Sequence, residues 1–267
     1  MAAAVDERKL LIVGGGRMGE ALLAGLLAAG RAPDELVIVE VAPTRREELA
    51  AAHEGVTVVE APVPVASAVL AVKPADVPGA AAAVADAGAE RLLSVAAGVT
   101  TQAIERAAHG RVRVVRAMPN TPALVGAGAA AICPGSAAGE QDMAWAEAVL
   151  GAVGVVVRVP EKDLDVVTGL SGSGPAYVFL VAEAMAEAGV LGGLPRDVAE
   201  TLAFQTVLGS ARLLADRGSS PAALRAAVTS PGGTTAAGLH ELERHGVRAA
   251  FLDAVMAATR RSRELGG

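Results

Sequence analysis

Gly14, Gly16 and Gly19, within "GGGRMG", close a short apolar run and open an Ala- and Leu-rich stretch, the GxGxxG spacing of a strand-to-helix turn. Each glycine has a physical task there: a tight turn, close approach of backbone to a pyrophosphate, and close packing of helix on strand. The helix start at Arg17 and Met18 adds unpaired N–H groups and a positive dipole end, so the loop predicts a dinucleotide phosphate site. Glu40 ends the next apolar run, where a carboxylate accepts hydrogen bonds from a ribose diol and repels a 2′-phosphate. Thr44, Arg45 and Arg46 follow at once and could reach such a phosphate, so NADH and NADPH both stay open as cofactor.

Later apolar runs end in "AVKP" (Ala71, Val72, Lys73, Pro74), "SVAAG" (with Ala96, Ala97 and Gly98) and "RAMPNTP" (with Met118, Pro119 and Asn120). Ligands of open α/β sheets lie beyond the carboxyl ends of the strands, so these tails are expected to complete the cofactor site. A different cluster stands near the far end of the chain, where "VTSPGGTTAAGL", Val228 to Leu239, places more hydroxyls and glycines than a turn requires among apolar helical segments.

The elements that must position these residues follow from periodicity. Up to about residue 158, continuous apolar runs of strand length ("LLIVGG", "ELVIVE", "SAVLAVKP", "RLLSVAAG", "VRVVRAMP", "GAAAICP") alternate with Ala-rich helical stretches, as in a covered parallel sheet. The fold class is α/β: a Rossmann-type dinucleotide-binding domain over residues 1–160, then an all-helical domain over 161–267. Helices are expected at roughly 175–190, 195–217, 221–229, 234–245 and 247–264. "DVAETLAFQTVLGSARLLA" is apolar around much of its circumference, more than a domain of about 100 residues can cover alone, so a homo-oligomer with a helical interface is expected.

Composition narrows the function. The 267 residues carry a net charge of −6 without basic runs interleaved with aromatics, which disfavours nucleic acid as a partner. No membrane span or signal peptide is expected, and a cytoplasmic location follows. A single cysteine, Cys133, excludes an internal disulfide, and four scattered histidines (His53, His109, His240, His245), expected in surface roles, show no metal-site spacing. A small molecule is the expected ligand.

"GLSGSGPAYVF" has Gly169, Gly172 and Gly174 in a GxxGxG spacing and resembles the helix start of the β-hydroxyacid dehydrogenases, in which a lysine lies four residues beyond the last glycine. Here that position is Val178, which disfavours alcohol oxidation and favours a substrate such as a protonated imine, whose carbon already accepts a hydride. Together with "RAMPNTP", "AVKP" and "PAALRAAVTSPGGTTAAGL", it resembles pyrroline-5-carboxylate reductase over essentially the whole chain. That resemblance implies hydride transfer from NADPH or NADH to the cyclic imine 1-pyrroline-5-carboxylate, giving L-proline, with NADPH the commoner donor. It also implies a homodimer of intertwined helical domains, often assembled further into a decamer. Carried onto this chain, the substrate loop is Ser230, Pro231, Gly232, Gly233, Thr234 and Thr235: its N–H groups hold the substrate carboxylate, and the Thr235 hydroxyl bonds the ring nitrogen as the catalytic contact. Gly-Gly and a helix starting near Thr234 agree physically with an anion site. Glu161 matches a family position near substrate and cofactor, while a family asparagine is replaced by Ala227. A reductase of another imine or hydroxyacid, and a nucleotide sensor without catalysis, are the rival readings; "SPGGTT" weighs against both.

Overall fold

Leu10 and Ile12 pack into one hydrophobic layer while Leu11 and Val13 pack into another, the period-2 signature of a strand covered on both faces. The computed structural model describes residues 6–216 and 218–266. Strands β1 (Asp6–Val13), β2 (Leu36–Val39), β3 (Thr57–Val59), β4 (Val65–Leu70), β5 (Arg91–Ser94), β6 (Arg113–Met118), β7 (Gly128–Pro134) and β8 (Gly154–Arg158) form one sheet of order β3-β2-β1-β4-β5-β6-β7-β8. Helices α1 (Arg17–Ala28), α2 (Pro43–Ala52) and α5 (Glu140–Gly151) supply the layer with Leu22, Leu49 and Leu150. The opposite layer takes Val84 from α3 (Val77–Asp86) and Ile104 from α4 (Thr101–Ala107).

The expected sheet is present with two corrections. The run "GAAAICP" is a strand but not a parallel one: β7 is antiparallel to β6, with Met118 opposite Ala131. Only a short 3-10 turn, Thr121–Val125, joins them, and a parallel return needs a crossover of a dozen residues or more. Two further strands flank the sheet: β3 is three residues long, and β8, parallel to β7, leaves Val155 and Val157 more than half exposed at its edge.

The helical part begins earlier than residue 175. After α6 (Leu164–Val167), the segment Thr168–Gly172 continues as a π-helical turn, followed by α7 (Gly174–Leu191), α8 (Arg196–Ala215), α9 (Pro221–Ala227), α10 (Thr234–Arg244) and α11 (Val247–Gly266). "GLSGSG" is therefore helical itself. Gly172 packs closely there: a Cβ would stand 2.5 Å from Met118 Cε and push that side-chain end aside. Contacts divide the described residues into two compact units: the chain through Ser173 together with the last turns of α11 from Ala257, and Gly174–Met256. Within the first, Ser262 Oγ donates to Asp165 Oδ1 at 2.7 Å, tying the end of α11 to α6.

In the second unit α7 and α8 cross on small residues: Ala186, Ala199 and Ala203 are buried, and a Cβ on Gly189 would stand 3.0 Å from that of Ala199. Phe179, Leu180, Leu202, Phe204 and Leu208 on the same helices are 45–66% exposed. Phe179, Phe204 and Leu208 border an open apolar groove of about 750 Å³ that also takes in Val178. The continuous helical run Glu161–Leu191 is long and apolar enough, by length and composition, to cross a membrane.

Candidate active site

Strands β1 to β6 run parallel, so their carboxyl ends share one edge of the sheet. β1 lies between β2 and β4, and the chain switches direction there, which opens a crevice for ligand. The glycine loop sits at that point. Gly14 has φ +105°, and a Cβ on it would stand 2.6 Å from the Ala71 carbonyl oxygen. A Cβ on Gly19 would run into the Gly14 carbonyl, so α1 can approach β1 only with glycine there. Gly16 is different: it precedes α1 without a side-chain cap, and an added Cβ would meet nothing within 4 Å. An open backbone at an uncapped helix start, with Arg17 exposed beside it, fits a bound pyrophosphate.

Glu40 follows β2 directly and reaches across to this loop. Its Oε2 accepts from Gly15 N at 3.0 Å and its Oε1 from Ala42 N at 2.9 Å. Gly15 is a site residue that the GxGxxG spacing missed; a Cβ on it would stand 2.5 Å from Leu49 Cδ1 and 3.1 Å from Glu40 Oε2. Arg45 and Arg46 are both engaged. Arg45 donates to Gly15 O, Glu48 and Glu20 at 2.9, 2.8 and 2.5 Å, and Arg46 to the carbonyls of Glu40 and Val41 at 3.0 and 2.8 Å. His53, expected on the surface, is only 14% exposed and lies 3.4 Å from Glu20.

The remaining strand tails share the edge. Ala71 N donates to Val13 O at 2.8 Å, prolonging the ladder by one residue, and after half-buried Val72 come exposed Lys73 and Pro74. Ala96 is buried, Ala97 exposed, and Gly98 adopts φ +77° against the end of α11. Beyond β6, Met118 is half-buried and Pro119 buried. Asn120 is a brace rather than a free amide: its Oδ1 accepts from Ala129 N at 2.8 Å and its Nδ2 donates to Ser171 O at 3.1 Å.

Glu161 has both oxygens engaged. Oε1 accepts from Thr101 N and Arg116 Nη1 at 2.8 and 2.9 Å, and Oε2 from Thr101 Oγ1 at 2.8 Å. Burial works against its charge, but these hydrogen bonds and the Arg116 guanidinium outweigh it and hold the carboxyl below the usual carboxylate range. Arg116 is 7% exposed, and its neighbour across the ladder, Cys133, is fully buried, with burial first and Glu161 second pushing the thiol up to about 11. That thiol is inert as a nucleophile at neutral pH. Thr101 and Arg116 were not singled out by sequence reasoning, although Arg116, the second of two arginines in the apolar run "VRVVRAMP", was a signal.

The hydroxyl- and glycine-rich loop belongs to the second unit. Thr229 Oγ1 donates back to Arg225 O at 2.6 Å and ends α9. Gly232 then turns with φ +66°, and Gly233, its N–H on Ser230 O at 3.1 Å, precedes α10 with no side-chain cap. Ser230, Pro231, Gly232 and Thr234 are exposed and Thr235 is half-buried in the first turn. The result is a helix N-terminus with its donors uncommitted to any cap, next to two hydroxyls.

A doubly wound sheet with this glycine loop at its switch point, followed by a helical unit with an uncapped glycine-rich helix start, is the architecture of a nicotinamide-dependent oxidoreductase. Family models agree: one for NADP oxidoreductase, coenzyme F420-dependent, matches residues 9–98, and one for pyrroline-5-carboxylate reductase dimerisation matches residues 161–265. A pyrroline-5-carboxylate reductase of Synechocystis is 46% identical, over 97% of this chain and 98% of that protein. Among solved structures, the pyrroline-5-carboxylate reductase of Coxiella burnetii is 35% identical with a TM-score of 0.92, covering 98% of this chain and 100% of that one. The Plasmodium falciparum pyrroline carboxylate reductase with NADP bound is 28% identical with a TM-score of 0.85, over 99% and 100%. The chain belongs to the pyrroline-5-carboxylate reductase family and carries its dimerisation domain. It is an NAD(P)H-dependent oxidoreductase that reduces 1-pyrroline-5-carboxylate to L-proline, the last step of proline biosynthesis.

Proposed function

We propose that this reduction is divided between a cofactor domain and a substrate domain along the lines of their free backbone donors. Residues 1–160 act as the cofactor domain: Gly14, Gly16, Arg17, Met18 and Gly19 hold the pyrophosphate, and Glu40 the adenosine ribose. Ala71 to Pro74, Ala96 to Gly98 and Met118 to Asn120 line the path to the nicotinamide. Residues 161–267 act as the substrate and dimerisation domain. N–H groups of Gly232, Thr234 and Thr235 take the substrate carboxylate, Gly233 and the Ser230 hydroxyl border it, and Thr235 Oγ1 bonds the ring nitrogen.

NADPH or NADH, when bound, supplies the hydride. The chain itself orients the imine, excludes water and stabilises the nitrogen as it passes from a protonated imine to an amine. Few side chains are needed, in keeping with Val178 standing where the β-hydroxyacid dehydrogenases have lysine; it faces the apolar groove between α7 and α8. Glu161 serves the site through Thr101 and Arg116, whose strand ends in the Met118–Asn120 tail. The observation that carries this reading is the uncapped start of α10 beside two threonines.

The exposed apolar surface of α7 and α8 pairs with a second copy as a homodimer, with a decamer as the further assembly, in the cytoplasm. The apolar run Glu161–Leu191 lies within the dimerisation match and is read as interface rather than membrane span. The test follows absorbance of NADPH and of NADH with purified protein and 1-pyrroline-5-carboxylate. Oxidation with stoichiometric proline is expected; folded protein that oxidises neither overturns the assignment.

A further inference from the structure

The two arginines that follow β2 are held away from the cofactor ribose, and the carboxylate that replaces them there is locked in place. Glu40 accepts two backbone N–H groups, Gly15 from the loop after β1 and Ala42 from the loop after β2. Each of its oxygens keeps a second acceptor position, enough for the two hydroxyls of a ribose. Ala42 N is also the donor at the start of α2 that would otherwise face an anion. Arg45 has its Nε on the Gly15 carbonyl and its two terminal nitrogens on Glu48 and Glu20. Arg46 points its Nη1 at two carbonyls and its Nη2 at Glu60, 3.4 Å away.

The surroundings therefore hold four carboxylates, Glu20, Glu40, Glu48 and Glu60, against two guanidinium groups. A phosphate on the 2′ oxygen would bring close to two further negative charges to a region already net negative, and would displace a fixed carboxylate to do so. Arg17 is the remaining exposed cation at the loop, and it stands at the start of α1, where the pyrophosphate common to both cofactors is held, so it does not discriminate.

We propose that Glu40, fixed by Gly15 and Ala42 while Arg45 and Arg46 are internally paired, makes this enzyme select NADH over NADPH. The proposal rests on the cofactor site described above. Selection comes from a repulsive element, the carboxylate, joined to the removal of the attractive ones.

Dissociation constants of NADH and NADPH for the intact enzyme, measured by fluorescence titration of each reduced cofactor, test it without turnover. The wild type is expected to bind NADH at least about tenfold tighter than NADPH, the size of one strong charge contact. Glu40→Ser should move that ratio at least about tenfold toward NADPH, whatever it does to overall affinity, because it removes the repulsion while the pyrophosphate loop stays. Arg46→Ala should leave the ratio unchanged. NADPH bound as tightly as NADH by the wild type overturns the preference alone. A selective collapse of NADPH affinity in Arg46→Ala overturns it too, by showing that arginine on the phosphate. Binding of neither cofactor to folded protein would overturn the cofactor site itself.

Discussion

Thr101 and Arg116 together engage both oxygens of Glu161, so its charge matters to the fold as well as to the site. Its carboxyl is held below the usual range in the folded state, so the stabilisation is complete above the unfolded value near 4.5 and fades as pH falls through the lower folded value. Glu161→Gln can keep hydrogen bonds to Thr101 but leaves the buried Arg116 without a counter-charge. Thermal midpoints measured against pH should show the variant below the wild type at neutral pH, with the gap closing as pH falls below the unfolded value near 4.5 and through the lower folded one. A gap independent of pH would mean that shape rather than charge is lost. Thr235 belongs to the chemistry instead. Thr235→Ala should lower kcat by about 10²-fold, the scale of one hydrogen bond formed in the transition state, with cofactor dissociation constants unchanged. Serine at the same position should restore most of the rate. Glu40 stood out in the sequence because it ends the next apolar run of strand length after the glycine loop, and Thr235 because the resemblance places it in the substrate loop. Gly15, Thr101 and Arg116 were not, since their partners lie 25, 60 and 45 residues away and only folding brings them together.

Elements were read well where periodicity is local and less well where pairing is not. The apolar runs that became β1, β2, β4, β5 and β6 are buried on both faces and so had to be continuous. The direction of β7 depends on the shortness of the Thr121–Val125 connection, a property of the link rather than of the strand. β3 and β8 are edge strands, half solvated, and lack the signal that burial imposes. The π-turn at Thr168–Gly172 was hidden because its glycines look like a loop, while Gly172 packs closely on Met118. The glycine loop gives a clean separation of fold from function. Gly16 has φ −72°, which any residue adopts, and open space at its Cβ. Gly16→Ala should therefore cost about 1 kcal/mol of stability or less, the loss of a favourable N-cap residue, yet weaken NAD(P)H at least about tenfold by filling the phosphate cradle. Gly19→Ala should do the opposite first, lowering the thermal midpoint, because its methyl runs into the Gly14 carbonyl. Equal loss of stability in the two variants, by calorimetry, would refute the assignment of Gly16 to ligand rather than packing.

At the scale of the whole molecule, the second unit has apolar surface it does not bury. Phe179 and Phe204 are 66% and 53% exposed on facing helices, and the groove between them is lined by Val178, Val207 and Leu208 with charges only at Glu183, Glu187, Arg196 and Glu200. Monomeric proteins rarely leave a contiguous patch of this kind to water. The chain carries its family's dimerisation domain over this same segment, and this is the surface that the proposed homodimer covers. The sequence already contained this in the all-round apolar character of α8, because a helix greasy on more than one side must be covered on more than one side. A charge placed there tests the account with a predictable sign. In Phe204→Asp, an unpaired carboxylate would have to be buried in the assembled state, at a cost of several kcal/mol in each copy, while the isolated chain would keep it in water. Sedimentation velocity at micromolar concentration should show the wild type as a dimer or a larger even assembly and the variant as a monomer. Because the substituted position is solvent-facing in the single chain, far-ultraviolet circular dichroism of the variant should remain helical. A variant that sediments with the wild type would place the interface elsewhere and leave the α7–α8 groove open for a different partner.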